Sequence, residues 1–168
     1  SVEQRDYPEY RGKPLIVGGN PNGRGVVSTC SYEARKFGVH SAMPASQAKR
    51  LCPQGIFVRP RFEKYSEVSR TIMSILHRHT HLVEAVSLDE AYLDVTHHSL
   101  GIEDPSAAAS LIKQTIFAVT RLTASAGVAP NLFLAKIASE HQKPNGLTIV
   151  SPNGVKNFLK KSQPIDAI

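Results

Sequence analysis

The sequence predicts an α+β protein in which an antiparallel-rich sheet carries helices on one face. Apolar residues recur at spacings of three and four over residues 62–79, which is typical of an amphipathic helix. From Glu90 to Val95 apolar and polar side chains alternate, which indicates a half-buried strand. Over residues 82–150 the predicted order is strand, strand, helix, strand, helix, strand, and this order favours a layered α+β domain.

The first 60 residues predict a smaller unit. Residues 13–19 and 26–30 are apolar and β-branched, and the turn formers NPNGRG between them make this pair a hairpin with a long loop. Ser31 begins a short helix that Gly38 ends. The remaining predicted elements here are a helix over 45–51 and a strand over 56–60.

The second half contains clear helix-start signals. Asp104 is placed to cap a helix over 104–120 that Pro105 opens, and Asn131 is placed to cap another over 132–142. A hairpin is predicted before them, with its turn near Ser87 to Glu90. The other predicted elements are strands over 82–86, 122–130 and 147–150, and a helix over 154–161.

The composition is that of a soluble globular protein. The 168 residues are 41% hydrophobic and 20% charged, and no apolar run approaches the roughly 18 residues of a membrane span. The chain begins at Ser1 without methionine or a signal segment, so we expect it to be processed or part of something longer. Cys30 and Cys52 match neither a zinc spacing nor a disulfide framework, which favours two reduced thiols in a cytoplasmic protein.

The positive charge is concentrated in the first half. Residues 1–81 hold 13 Lys and Arg against 6 Asp and Glu, whereas residues 82–168 hold 7 against 8. A basic half beside a carboxylate-bearing half suits a metalloenzyme that binds a polyanion. The same charge could equally serve solubility, so charge alone leaves both interpretations open.

Asp89 and Glu90 are adjacent carboxylates inside an apolar stretch. Two carboxylates about 4 Å apart repel by roughly 4 kcal/mol at an effective dielectric constant of 20, so a counter-charge is expected. Regular strand alternation would send them to opposite faces, but a turn near Ser87 and Leu88 would let both reach one ligand. A hard cation such as Mg²⁺ fits such oxygen ligands. An acidic, solvated turn is the alternative, and the pair by itself favours that alternative.

The segment SLDEAYLDVT (87–96) resembles the metal-binding motif of the Y-family DNA polymerases, which are lesion-bypass enzymes. Segments 13–19, 28–44 and 123–146 are similar to further blocks of that family, in the same order. The similarity covers nearly the whole chain and is strongest to the bacterial DinB type. It implies a ferredoxin-like polymerase palm and a small fingers subdomain.

The resemblance implies boundaries and a chemistry. Residues 1–12 would be the remnant of the palm's N-terminal segment, residues 13–60 the fingers, and residues 61–168 the palm, ending before the thumb. The implied reaction is template-directed nucleotidyl transfer from a dNTP to a primer 3′-hydroxyl with two Mg²⁺ ions. Asp89 would be a metal ligand and Glu90 a catalytic residue and metal ligand. Asp94 matches a motif position that is not a ligand in the family, and we interpret it as structural.

The resemblance also implies contacts to the nucleotide. Four residues match positions that bind the triphosphate: Thr29, Tyr32, Arg35 and Lys143. Tyr32 and Arg35 lie three apart and so share a helix face, and Arg binds phosphate oxygens in bidentate fashion. Val26 and Ser28 match small positions that cover the nascent base pair, where an open site lowers fidelity. Without the resemblance, Tyr32 and Arg35 would be a surface pair and Lys143 a solvated lysine.

Several parts of the family pattern have no counterpart in these 168 residues. They are an N-terminal strand with another metal-binding aspartate, an aromatic steric gate after it, the thumb and the little finger. We therefore expect the 168 residues alone to be nearly inactive and a longer protein to extend primers. The implied partners are primer–template DNA and dNTP, with a sliding clamp bound through the missing C-terminal region. A monomer in the bacterial cytoplasm, without membrane contact, is expected.

Two other functions remain as alternatives. A nucleotidyl cyclase uses a related palm and two metals, although the basic first half and SYEARKFG argue against it. A non-catalytic nucleic-acid-binding module is the other. The alternating His77, His79 and His81 are interpreted as a helix end rather than a metal site, because a spacing of two does not share a helix face. His97 and His98 are predicted to lie in a loop.

Overall fold

The structure, a computed structural model, describes residues 1–96 and 104–161. The predicted loop at His97 and His98 and the last residues of the predicted palm, 162–168, lie outside the described residues. The chain divides into two compact units, of which the first is Ser1–Tyr65 and the second begins at Ser66.

The described residues form seven α-helices, two short 3₁₀ helices (Pro8–Tyr10 and Pro152–Gly154) and seven strands. The helices are α1 (Val2–Asp6), α2 (Tyr32–Arg35), α3 (Ala45–Leu51), α4 (Phe62–His77), α5 (Pro105–Thr120), α6 (Leu132–His141) and α7 (Val155–Lys161). The strands are β1 (Leu15–Gly18), β2 (Val27–Cys30), β3 (Ile56–Val58), β4 (Val83–Ala85), β5 (Ala91–Leu93), β6 (Ala126–Val128) and β7 (Leu147–Ile149). Among the described helices, none combines the length and the apolar character that crossing a membrane would require.

The first unit is built on a three-stranded sheet in the order β2-β1-β3. β1 pairs antiparallel with β2, which confirms the predicted hairpin, and pairs parallel with β3. The core beneath includes Ile16, Val27 and Ala34, with Cys52 fully buried. Cys30 and Cys52 are both buried free thiols, and burial raises the pKa of each.

Helix α1 was not among the predicted elements. Its Glu3 is only 4% exposed and accepts hydrogen bonds from the Arg61 Nε and from the Tyr65 hydroxyl, the latter at 2.6 Å. The Arg61 Nη2 also donates to Asp6 at 2.8 Å. A buried carboxylate needs such partners to offset its desolvation, and these contacts tie α1 to the start of α4.

The second unit holds two strand pairs that are separate within the described residues. β4 pairs antiparallel with β5, and β6 pairs parallel with β7. Ile75 and Leu76 of α4 pack with Ile112 and Ile116 of α5 into a buried cluster that also contacts the β4–β5 pair. The α+β class is confirmed. Parallel pairing is more frequent than predicted, because α6 connects β6 to β7 as a crossover helix.

Candidate functional site

Asp89 and Glu90 lie at the end of the β4–β5 hairpin. The backbone N–H groups of Val86 and Ser87 both donate to the Glu90 carbonyl, at 2.9 and 3.2 Å, and so close the turn. The Ser87 hydroxyl donates to Asp89 Oδ1 at 2.9 Å, which orients that carboxylate. Asp89 is exposed and Glu90 is half-exposed. Regular strand alternation therefore does not apply to the pair, as predicted, because Asp89 belongs to the turn.

A row of alternating charges leads from Glu90 to Lys143. The Lys136 Nζ lies 2.5 Å from Glu90 Oε1 and 3.1 Å from Glu140 Oε1. Glu140 Oε1 in turn lies 2.7 Å from the Lys143 Nζ. Two predicted site residues, Glu90 and Lys143, are thus linked through Lys136 and Glu140.

This ion-pair row shifts the titration of its central members. The hydrogen bond to Glu90 raises the pKa of Lys136, against the opposing effect of burial. Burial acts to raise the pKa of Glu140, but the hydrogen bonds from Lys143 and Lys136 outweigh it and lower that pKa. Both groups are therefore charged near neutral pH. Asp89 adds a negative charge at the hairpin tip.

Helix α6 contributes the two central residues of this row, and it packs directly on β6. Lys136 and Glu140 are one turn apart on it, so they share a face. Asn131 caps the helix by accepting a hydrogen bond from the Leu134 N–H at 2.9 Å, as predicted. A Cβ at Gly127 of β6 would lie 2.1 Å from the Ala135 carbonyl oxygen, so glycine is required for this close approach.

In the first unit, Val26, Ser28 and Thr29 are all exposed. The register of β1 and β2 shifts between Val17 and Gly18, so that Val17 faces Thr29 and Gly18 faces Val27. This bulge leaves Ser28 without a Cα partner in the pairing and exposes two consecutive residues of β2.

Tyr32 and Arg35 lie on α2, and both are exposed. The Arg35 guanidinium carbon is 5.9 Å from the centre of the Tyr32 ring, which places the two side chains together as the spacing predicted. Ser31 anchors the helix. Its hydroxyl oxygen accepts hydrogen bonds from the Ala34 and Leu15 N–H groups, and the hydroxyl donates to the Lys13 carbonyl.

The predicted site residues therefore fall into two groups. Asp89, Glu90 and Lys143 belong to the second unit, whereas the residues from Val26 to Arg35 belong to the first. Asp94 is exposed and accepts a hydrogen bond from the Thr96 N–H at 2.9 Å, in a local turn after β5. His79 is buried at the end of α4, whereas His77 and His81 are exposed. The interpretation of these histidines stays a prediction.

Three residues of the site were missed from the sequence: Ser31 as an anchor to β1, Lys136 and Glu140. Lys136 and Glu140 are four apart in the helix predicted over 132–142, and Lys143 follows directly after it, which was a visible signal of mutual contact. Nothing local indicated that Glu90, 46 residues away, is the partner of Lys136.

The acidic pair fits a divalent cation by its chemistry. Asp89 and Glu90 offer hard carboxylate oxygens on an exposed turn, and Mg²⁺ usually takes only one or two carboxylates, with water and phosphate completing its shell. Lys136 already places a positive charge against Glu90. Within residues 1–96 and 104–161, no group of three or more His, Cys, Asp or Glu side chains is arranged to hold a metal ion.

Comparison with known proteins identifies the family of this chain. Residues 1–140 match the sequence profile of the impB/mucB/samB family. The chain belongs to this family. A DNA polymerase IV of Listeria monocytogenes (serotype 4b, strain CLIP80459) is 58% identical over 161 residues, which are 96% of this chain and 45% of that protein. A DNA polymerase IV of Clostridium perfringens (strain SM101 / Type A) is 55% identical, with the same coverage. The chain thus spans about half the length of the curated relatives it matches.

Solved structures of similar proteins have the same fold as this chain. The crystal structure of DinB from Sulfolobus solfataricus superposes with a TM-score of 0.87 at 41% identity, over 94% of this chain and 47% of that one. An insertion ternary complex of Dbh DNA polymerase superposes with a TM-score of 0.84 at 41% identity, with the same coverage. The resemblance to Y-family polymerases and the fold class predicted from the sequence are both confirmed.

Proposed function

We propose that the gene product containing this chain is a lesion-bypass DNA polymerase that transfers nucleotides from dNTP to a primer 3′-hydroxyl under template direction. The observation that carries the proposal is the hairpin tip, where Asp89 and Glu90 meet and Glu90 is joined through Lys136 and Glu140 to Lys143. Carboxylates for a metal and a lysine for phosphate are what this transfer needs in one place. Relatives named DNA polymerase IV support it.

In this proposal Asp89 and Glu90 would hold Mg²⁺. Two such ions, when bound, would stabilise the attacking and leaving oxygens. The primer 3′-oxygen forms a bond to the α-phosphorus, the bond to the pyrophosphate oxygen breaks, and the hydroxyl proton leaves to solvent. Ser87 keeps Asp89 oriented through its 2.9 Å hydrogen bond. A metal held by Glu90 would supply its counter-charge in place of Lys136, and Lys136 would keep Glu140 as a partner.

The triphosphate contacts are also proposed. Lys143 would exchange its pairing with Glu140 for phosphate oxygens, and Thr29, Tyr32 and Arg35 would likewise bind phosphate oxygens. The exposure of these three side chains leaves them available for a ligand. One of the similar solved structures is an insertion ternary complex of Dbh DNA polymerase, and a ternary complex is consistent with simultaneous binding of two partners.

Val26 and Ser28 are proposed to cover the nascent base pair. Both are small and exposed, so they would constrain the shape of that pair weakly. This is consistent with tolerance of damaged templates and with low fidelity.

The remaining assignments stay predictions. The first unit would contain the fingers (13–60), and the second would contain most of the palm (61–168). Binding to a sliding clamp, a monomeric state and a cytoplasmic location are also predictions.

Primer extension by the longest gene product that contains this sequence tests the proposal. Asp89→Asn and Glu90→Gln should each lower extension at least about 100-fold, because each removes a charge from the proposed metal site. Glu84→Gln is the matched control, since Glu84 is an exposed carboxylate on the same hairpin. It should retain wild-type activity.

The assay also separates the alternatives. A binding-only module would bind primer–template DNA without extending it, whatever residue stands at 89 or 90. A cyclase would convert a nucleoside triphosphate to a cyclic product without primer or template. Either outcome would contradict the proposal, as would full activity in Asp89→Asn and Glu90→Gln.

A further inference from the structure

We propose that Lys113 is a positioning residue that holds the turn of residues 143–146, and through it Lys143, in place for the triphosphate. The inference rests on the role proposed above for Lys143. Lys113 lies on α5, outside every motif that the sequence analysis singled out.

The ammonium group of Lys113 is bound by backbone carbonyl groups. It donates to the Asn145 and Gly146 carbonyl oxygens, each at 2.7 Å, and to the Ala124 carbonyl oxygen at 2.8 Å. The Asn145 side-chain oxygen lies 3.2 Å away. A lysine ammonium has three donors, so the three backbone carbonyls can satisfy all of them. These four acceptors are uncharged, which distinguishes Lys113 from the ion-paired Lys136 and Lys143.

Burying the Lys113 ammonium group costs desolvation free energy, which an exposed, solubilising lysine would not lose. Desolvation by burial lowers the pKa of Lys113. Charge-assisted hydrogen bonds offset that desolvation only where acceptors are held in position. The three carbonyls belong to the segment before β6 and to the turn between α6 and β7, so Lys113 joins α5 to both.

The turn is restrained on its other sides as well. Asn145 has a φ of 57°, in the left-handed region. A Cβ at Gly146 would lie 2.3 Å from the Gln142 carbonyl oxygen, so the turn is pressed against the end of α6. The Gly146 carbonyl also accepts a hydrogen bond from the Ala126 N–H at 3.0 Å.

Lys143 lies at the start of this turn, two residues before Asn145, and its side chain is held by Glu140 at 2.7 Å. Loss of the Lys113 ammonium would leave the Asn145 carbonyl without its lysine donor and free the turn to move. The position of Lys143 would then vary, and the triphosphate would be bound less tightly. The hairpin carboxylates Asp89 and Glu90 would keep their places, because Lys113 has no bond to them among its described contacts.

Steady-state primer extension by the full-length gene product tests this with Lys113→Met. A lost charge-assisted hydrogen bond of about 1.4 kcal/mol corresponds to a rise of about tenfold in the KM for dNTP. We expect kcat to change by less than about threefold, because the metal-binding carboxylates are not displaced. Lys156→Met is the control, since Lys156 is an exposed lysine of α7 in the same unit. It should leave both parameters unchanged.

A double-mutant cycle with Lys143→Ala distinguishes positioning from general stabilisation. If Lys113 acts through Lys143, Lys113→Met should raise the KM by less than about twofold in the Lys143→Ala background. An equal rise in both backgrounds would overturn the inference. An unchanged KM in Lys143→Ala would refute the proposed role of Lys143 and this inference with it. A raised KM in Lys143→Ala with an unchanged KM in Lys113→Met would refute the inference alone.

Should Lys113→Met fail to fold, Lys113→Arg takes its place in the cycle. A planar guanidinium keeps the charge but cannot direct one donor at each of the three carbonyls. We expect its KM for dNTP to rise at least about threefold, with the same loss of effect in the Lys143→Ala background. A wild-type KM in the folded Lys113→Arg variant would overturn the inference.

Discussion

Glu3→Gln should destabilise the first unit far more than the substitution of an exposed carboxylate would. Glu3 is 4% exposed, and its carboxylate accepts from Arg61 Nε at 2.9 and 3.1 Å and from the Tyr65 hydroxyl at 2.6 Å. Breaking a buried ion pair typically costs about 3–5 kcal/mol. The Arg61 side chain is 33% exposed and keeps Asp6 as a partner, so we expect a smaller loss of about 2 kcal/mol.

Urea unfolding at neutral pH, followed by circular dichroism, measures this loss as a lower midpoint with an unchanged slope. Glu9→Gln is the matched control, because Glu9 is an exposed carboxylate of the neighbouring 3₁₀ turn. It should change the free energy of unfolding by less than about 0.5 kcal/mol. Equal, small effects of the two substitutions would refute the reasoning that the Glu3 contacts stabilise the unit.

Three further predictions concern other contacts. Burial acts to raise the pKa of Asp6, but hydrogen bonds from Arg5 and Arg61 outweigh it and lower that pKa. The stability that Asp6 contributes is therefore present above its unfolded pKa of about 3.9. That stability is lost as the pH falls through the folded pKa. The stability gap between wild type and Asp6→Asn in urea unfolding should thus close as the pH falls below 4, and a gap that stays constant would contradict this. Gly127→Ala should destabilise the second unit by about 3 kcal/mol in the same assay, against almost no effect of Gly23→Ala, where a Cβ meets only one atom, at 3.9 Å. Cys30 and Cys52 should resist alkylation at pH 8 in the folded chain and react in urea, because both are buried and burial raises their pKa; rapid reaction of the folded chain would refute this.

Helices and hairpins held by contacts between neighbouring residues could be predicted from the sequence. Helix α3 has the bounds that the pattern indicated, and the Asp104 and Asn131 side chains cap α5 and α6 as their positions suggested. The hairpin that carries Asp89 was predicted in the same way, since alternation and turn residues adjoin in the sequence.

Contacts between distant residues could not be predicted in this way. Helix α1 has little apolar surface of its own and is held by an ion pair between residues 58 positions apart. The parallel pairing of β1 with β3 and the contact of Lys136 with Glu90 likewise join distant segments. Resemblance to a family supplied roles for Asp89 and Lys143, but neither it nor the pattern indicated Lys113, whose partners are backbone carbonyls.

Direct metal binding tests the central claim that the acidic hairpin tip holds a divalent cation beside a nucleotide. Mn²⁺ binding to the full-length gene product can be followed by electron paramagnetic resonance with a non-hydrolysable dNTP analogue present. Wild type and Glu84→Gln should bind Mn²⁺ in a nucleotide-dependent manner, and Asp89→Asn and Glu90→Gln should lose most of that binding. Unchanged nucleotide-dependent Mn²⁺ binding in both Asp89→Asn and Glu90→Gln would contradict the account.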